Sequence, residues 1–170
     1  MRHLTVFRHA KSSWSSSAKS DHARPLTPRG IKAAIRMGYW LMEHDLLPDR
    51  ILCSTAKRAR ETRKLAAKLW PIKPDVLLDK ALYLASAAEL IDLIAKHGTD
   101  AERLMVIGHN PGLQDLIIKL VDQKPRETRE IIGKYPSGAI AELDCDIESW
   151  SEIEKNCATL STFMRPRALG

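Results

Sequence analysis

The stretch Leu4-Thr5-Val6-Phe7-Arg8-His9-Ala10-Lys11-Ser12 decides the fold of this chain. Leu4 to Phe7 is mostly apolar, which predicts a short buried strand. That strand ends in an arginine and a histidine instead of a turn residue. Because ligands of open α/β sheets bind beyond the carboxyl ends of the strands, Arg8 and His9 are candidates for an anion-binding site that handles protons. An isolated Arg-His pair is more often a solvated strand end, so a functional interpretation depends on motifs elsewhere in the chain.

Length and composition bound the class of protein. The chain has 170 residues, 44% of them hydrophobic and 28% charged, which predicts one globular domain over residues 1–170. No apolar run is long enough to span a bilayer, and Arg8, His9 and Lys11 interrupt any signal-peptide pattern. We therefore expect a cytoplasmic protein without a membrane partner.

Charge and cysteine content limit the classes of ligand that we expect. The formal net charge of +6 favours an anionic partner. Aromatic residues make up only 5% of the chain, and no nucleic-acid-binding motif accompanies the basic residues, so a small anion such as phosphate is favoured over nucleic acid. The cysteines Cys53, Cys145 and Cys157 lack the spacing of a zinc site or a disulfide framework.

Apolar periodicity predicts alternating strands and helices along most of the chain. Predicted strands cover residues 4–7, 50–54, 76–78 and 104–107, and a predicted helix follows each of them. The first helix begins at Thr27 and Pro28 and ends before Pro48, and the second is capped by Ser54 or Thr55 and runs to about Leu69. The third runs from Ser86 to Gly98, and the fourth begins after Gly112. Residues 122–137 look like a polar excursion, 139–145 and 147–153 like a hairpin, and the chain from Lys155 is weakly patterned. This alternation predicts an α/β fold, a three-layer α/β/α sandwich with a mostly parallel central sheet.

Three predicted strands end in side chains suited to phosphoryl chemistry. The first gives Arg8 and His9, the second leads to Arg58 in the first turn of a helix, and the fourth ends at His109. Arginine binds phosphoryl oxygens through paired hydrogen bonds, and a helix N-terminus also favours an anion. One histidine can act as a nucleophile while a second donates to a phosphoryl oxygen. Parallel strands end at one edge of a sheet, so these side chains are expected to converge.

These motifs resemble those of a known family. Arg8-His9-Ala10, Ser54-x-x-x-Arg58-Ala59-x-x-Thr62 and Gly108-His109 are similar to motifs of the histidine phosphatase (phosphoglycerate mutase-like) superfamily. Arg24-Pro25-Leu26-Thr27-Pro28-Arg29-Gly30 and Ile107-Gly108-His109-Asn110-Pro111 resemble the SixA-type phosphohistidine phosphatases. The resemblance spans about residues 4–145 and implies a phosphoglycerate mutase-like fold.

The resemblance also implies a role for each matching residue. His9 would be the nucleophile that becomes phosphorylated, and His109 would stabilise charge on the transferring oxygens. Arg8 and Arg58 would clamp the phosphoryl group, and Arg24 would reach the pocket from the long serine-rich loop over residues 10–26. No metal or other cofactor is implied, because the cationic pocket would supply the charge stabilisation that a metal gives.

Two departures from the family pattern bear on the substrate. Ala10 replaces the usual glycine, a small change. The mutases and ester phosphatases carry a glutamate proton donor after the third strand, where the only carboxylate of this chain is Glu89, predicted inside a helix. An alkoxide leaving group needs a general acid, whereas a phosphoimidazole can leave as neutral imidazole once its ring is protonated.

The sequence therefore favours a phosphohistidine phosphatase that acts on a phosphoprotein through an intermediate on His9. A metal-independent phosphatase for small phosphate esters and a non-catalytic phosphate-binding module are the alternatives. Two histidines in the same predicted pocket count against a pure binding module, which has no need of them.

Overall fold

The computed structural model of the protein describes residues 1–14, 17–122 and 126–170. Ser15 and Ser16 of the predicted loop and residues 123–125 of the predicted excursion lie outside the described residues. The described strands are β1 (Arg2–Arg8), β2 (Arg50–Ser54), β3 (Asp75–Asp79), β4 (Arg103–Gly108), β5 (Ile140–Cys145) and β6 (Ala158–Met164). They form a six-stranded sheet in the order β3-β2-β4-β1-β5-β6.

The sheet is parallel over its first four strands. β2 pairs in parallel with β3 and β4, and β1 pairs in parallel with β4, with Arg8 opposite Gly108. β5 and β6 complete the sheet in antiparallel orientation. The predicted mostly parallel sheet is confirmed, and β1, β2 and β4 end at the same edge.

Helices cover both faces of the sheet. They are α1 (Pro28–Glu43), α2 (Lys57–Ala66), α3 (Ala87–His97), α4 (Gly112–Leu120) and α5 (Arg126–Gly133). Alternate residues of the central strands enter different cores, because successive side chains of a strand point to opposite faces. Val6 packs in the core that includes residues of α3, α4 and α5, whereas Phe7 packs in the core that includes residues of α1 and α2. The predicted three-layer α/β/α sandwich is thus confirmed.

Capping residues set the helix starts that the sequence predicts, with one exception. The Thr27 hydroxyl accepts from the Gly30 N–H, and the Ser86 hydroxyl accepts from the Glu89 N–H. The expected cap of α2 by Ser54 or Thr55 is wrong, because its N-cap is Ala56 and no side chain caps it. α1 ends at Glu43, before Pro48. None of the helices within the described ranges combines the length and apolar character needed to cross a bilayer.

The C-terminal third differs from the sequence prediction. The described part of the polar excursion contains α5, which buries Ile131. Residues 147–153 form no strand, because Ser149 and Glu152 make a capping box around the 3-10 helix Trp150–Glu152. The partner of β5 is instead β6, whose mostly half-buried or exposed side chains leave only a weak pattern in the sequence.

Gly38 allows α1 to approach α2 closely, since a Cβ at this position would lie 2.0 Å from the Ala66 carbonyl oxygen. We expect Gly38→Ala to lower the free energy of unfolding by about 1–3 kcal/mol, because backbone must move to admit the methyl group. Urea denaturation measures this change. Gly133→Ala is the matched control, since a Cβ there meets nothing within 4 Å, and its stability should equal or exceed that of the wild type. Equal stability of Gly38→Ala and wild type would contradict this packing.

A candidate active site at the strand ends

A cleft of about 770 Å³ lies at the carboxyl ends of β1, β2 and β4. The side chains predicted from the sequence all line it, namely Arg8, His9, Arg24, Arg58 and His109. Four of them are buried, and Arg8 is half-buried. The expected convergence of the strand ends is therefore present in the structure.

His9 is held in one tautomer at the end of β1. Its Nδ1 lies 2.7 Å from the Ala10 carbonyl oxygen. A carbonyl only accepts, so Nδ1 carries the proton and Nε2 of the neutral ring is unprotonated. The His9 backbone is fixed on both sides, since its N–H donates to Gly108 and its carbonyl accepts from Gly138. This arrangement leaves Nε2 as the nitrogen able to form a covalent bond.

His109 follows β4 and faces His9, with 5.2 Å between the ring centroids. Its Nε2 lies 2.7 Å from the Ser54 hydroxyl, which also accepts from the Ala56 N–H. The Ser54 hydrogen is paired only if Ser54 donates to Nε2, which places the His109 proton on Nδ1. Nδ1 is buried and has no hydrogen-bond partner in the described part of the chain. It is a donor available to an anion in the cleft.

Both histidines are neutral near pH 7. Burial is the main cause that lowers the pKa of His9 to about 4, and Arg58, Arg8 and Arg24 lower it further, although the bond to Ala10 acts in the opposite direction. Burial, His9 and Arg58 lower the pKa of His109 to about 3. Burial, helped by the cations around His9, thus keeps its ring uncharged, the form in which a ring nitrogen can act as a nucleophile.

Arg58 lies in the first turn of α2 and is 3% exposed. Its Nη1 donates to the backbone carbonyl of Asp21 at 2.7 Å, and its Nη2 donates to the Asp21 carboxylate at 3.1 Å. Its buried Nε has no partner among the described residues. One edge of the guanidinium is therefore fixed by the loop before α1, and a further donor remains for an anion.

Arg24 reaches the cleft from the same loop, as predicted. Its Nε donates to the Asp21 carboxylate at 3.0 Å, and its Nη1 donates to the Ser12 hydroxyl at 3.1 Å. The guanidinium stacks on Trp14, with Cζ 3.5 Å from the ring centroid. Asp21 thus lies between two arginines and holds both of them.

Asp21 is the main residue of the site that the sequence did not predict. Its carboxylate also accepts from the Tyr83 hydroxyl, and this bond is the largest cause that lowers the pKa of Asp21 to about 2, with Arg58 and Arg24 adding to it. Only its position three residues before Arg24 hints at the contact, and such spacing is common in loops. Because Asp21 is ionised and bonded, it is a counter-charge and not a proton donor.

Tyr135, which the sequence did not predict, and Thr62 of the second motif connect the parts of the site. The Tyr135 carbonyl accepts from Arg8 at 2.8 Å and from the Asn110 side chain at 2.9 Å. The Thr62 hydroxyl accepts from the Ala10 N–H at 3.0 Å and donates to the Arg58 carbonyl at 2.7 Å. Thr62 therefore joins the strand end that carries His9 to the helix that carries Arg58.

Glu89 lies where the sequence predicts, exposed in the first turn of α3. It does not line the cleft, and Asp21 is the only carboxylate among the described residues that do. The described residues of the cleft thus provide cationic donors and a neutral imidazole, and none of them offers a carboxyl group that could protonate a leaving group.

We expect the His9 ring to stay neutral on acidification to about pH 5, because burial and neighbouring arginines disfavour the imidazolium ion. NMR titration of protein labelled in its histidine rings measures this directly, and His9→Gln assigns the resonance. Protonation of His9 with a midpoint between pH 6 and 7 would contradict the assignment of its environment.

Sequence and structural comparisons agree with the strand-end motifs. Residues 4–82 match the sequence model of the histidine phosphatase superfamily (branch 1). An uncharacterised protein of Mycobacterium tuberculosis is 35% identical over 163 residues, covering 94% of this chain and 99% of the relative. The solved structure of the SixA protein from Nakamurella multipartitia is 30% identical, with a TM-score of 0.85 over 97% of this chain and 96% of that chain.

A more distant solved structure has the same fold. The protein histidine phosphatase SixA in complex with tungstate is 23% identical, with a TM-score of 0.79 over 99% of both chains. The family expected from Arg8-His9, Arg58 and Gly108-His109 is confirmed by these matches. The chain belongs to the histidine phosphatase superfamily, in its SixA-type branch, and is a phosphatase.

Proposed function

We propose that the protein hydrolyses phosphohistidine on other proteins through a covalent phosphohistidine intermediate on His9. One observation carries the proposal: a neutral His9 lies in a cleft lined by Arg8, Arg24 and Arg58, and none of the described lining residues has a carboxyl group that can protonate an alkoxide. This combination suits the transfer of a phosphoryl group from a leaving group that departs without a proton from the enzyme.

In the first step, His9 Nε2 attacks phosphorus and the bond from phosphorus to the substrate ring nitrogen breaks. A substrate ring protonated on its other nitrogen leaves as neutral imidazole. His9 keeps its Nδ1 proton throughout, because that proton is bound to the Ala10 carbonyl. The phosphorylated His9 ring is therefore an imidazolium and is itself ready to leave.

Charge on the transferring oxygens is stabilised by donors that have no partner in the described part of the chain. These are Nε of Arg8, Nε of Arg58 and Nδ1 of His109. Buried polar groups are normally paired, so unpaired donors around one cleft support an anionic ligand there. Donors fixed in advance in a water-poor site stabilise developing negative charge strongly.

In the second step, water attacks phosphorus and the bond to His9 Nε2 breaks. Both hydrogens of the water leave with the product as dihydrogen phosphate, and His9 returns to its neutral form with Nδ1 still protonated. No group of the enzyme has to change its protonation state over the cycle.

The leaving group separates this substrate from small phosphate esters. An alkoxide has to take a proton as it departs, and Asp21 is ionised, with its oxygens bonded to Arg24, Arg58 and Tyr83. The solved SixA structure that binds tungstate, a tetrahedral oxyanion, is named a protein histidine phosphatase, which supports the same substrate class.

Hydrolysis of a panel of phosphohistidine proteins and small alkyl phosphates by wild type and His9→Ala tests the proposal. We expect acid-labile label on His9 during turnover and faster phosphate release from phosphohistidine. Undiminished labelling of His9→Ala would exclude the intermediate. Much faster release from simple alkyl phosphates would overturn the substrate class.

Arg58→Lys should lower kcat by about 10²–10³-fold, because lysine lacks the paired donors of the guanidinium. Arg60→Lys is the matched control on the same helix, since Arg60 donates to the Thr55 carbonyl and does not line the cleft. Steady-state kinetics and tungstate affinity should both change in the first variant and stay within a few-fold in the second. Similar losses in both variants would show that α2 is merely disturbed.

A further inference from the structure

We infer that the catalytic cleft extends into a second groove and that the two together bind an acidic segment of the phosphoprotein around its phosphohistidine. This inference rests on the proposed function and names the surface that recognises its substrate. The second groove, here called the side groove, lies between α1 and the 3-10 helix Pro166–Leu169 and has a volume of about 830 Å³.

The side groove is continuous with the catalytic cleft. Both are lined by Arg29 and Ala33 of α1 and by Pro166 and Arg167 near the C-terminus. Cavities of several hundred Å³ accept ligands of drug size, so each exceeds what one phosphorylated side chain fills. A substrate that enters the cleft therefore has a connected surface along α1 for the chain around its phosphohistidine.

The walls of the two cavities carry an excess of exposed basic side chains. They are Lys11, Arg29, Lys32, Arg36, Lys134, Arg165 and Arg167. Within the described part of the chain, none of these side chains forms an ion pair with a carboxylate. The acidic side chains among the described lining residues are Asp21, which is held by Arg24 and Arg58, and Glu43. The net positive potential of this surface fits an acidic partner.

Exposed apolar side chains point to a protein as the partner. Trp14 is 82% exposed and Leu84 is 58% exposed, and both line the catalytic cleft. Leu84 has a φ of 55°, a conformation that is costly for a branched side chain and that recurs at binding sites. Tyr39 and Leu69 are exposed in the side groove. Exposed leucines suit the apolar surface of a protein better than a nucleic-acid backbone, which is bound through charge and aromatic stacking.

Charge reversal in the side groove tests this surface. The double variant Lys32→Glu/Arg36→Glu changes two exposed residues that line the side groove and not the catalytic cleft. The control Lys64→Glu/Lys96→Glu makes the same change in net charge at exposed residues that line neither cavity. The substrates are synthetic phosphohistidine peptides flanked by glutamate or by glutamine, together with phosphoramidate as a substrate that has no flanking chain.

We expect wild type and control to hydrolyse the glutamate-flanked peptide with a kcat/KM about tenfold above that of the glutamine-flanked peptide, a preference that falls with added salt. The Lys32→Glu/Arg36→Glu variant should lose this preference through KM and keep its kcat/KM for phosphoramidate. An unchanged preference, or an equal loss with phosphoramidate, would overturn the inference.

Two further outcomes separate the competing explanations. A wild-type enzyme that hydrolyses phosphoramidate but neither peptide would overturn the proposed function and this surface with it. Stronger inhibition by a DNA duplex than by an unphosphorylated glutamate-rich peptide would assign the basic surface to nucleic acid and overturn the inference.

Discussion

The counter-charge that Asp21 provides for two buried arginines is the interaction on which the site depends. Arg58 is 3% exposed and Arg24 is 9% exposed, and both guanidinium groups donate to the Asp21 carboxylate. Buried cations without a counter-charge are costly, and two of them in one cleft also repel each other. Asp21 offsets both costs in the free protein, so the arginines are in place before any phosphoryl group arrives. Placing charges before binding is the condition under which they accelerate a reaction most.

The parallel sheet positions the two histidines of the site. β1 and β4 pair in parallel, which puts Arg8 opposite Gly108. His9 and His109 follow these two residues, and their ring centroids are 5.2 Å apart. Burial at this edge keeps both rings neutral, while the Nε atoms of Arg8 and Arg58 and the Nδ1 atom of His109 are buried and have no partner among the described residues. The same low exposure therefore keeps the His9 imidazole neutral, as the proposed mechanism needs, and strengthens the hydrogen bonds that these donors can make to an anion.

The sequence predicted the part of the site that is local to strand ends. Arg8, His9, Arg58 and His109 each follow an apolar run, so their convergence could be inferred from the parallel sheet alone. Asp21 could not be predicted, because it bonds to Arg58 and Tyr83, which are 37 and 62 residues away in the chain. Such contacts depend on how a loop folds over the sheet, and residue spacing carries no information about that. β6 was missed for a different reason, since its weakly buried side chains give little alternation of apolar and polar residues.

The residues of the site are held in two different ways, some by regular secondary structure and some by the loop between β1 and α1. His9 follows β1 and Arg58 lies in α2. The Thr62 hydroxyl joins these two elements, because it accepts from the Ala10 N–H and donates to the Arg58 carbonyl. Asp21, Arg24 and Trp14 belong to a connecting loop. That loop is held by side-chain contacts and by the Lys57 N–H of α2, which donates to the His22 carbonyl. Sequence change at Trp14 can therefore alter the rim of the cleft without moving His9. In this architecture, a residue at the rim such as Trp14 is free to vary with the partner, whereas Asp21 in the same loop is constrained by the two arginines that it holds.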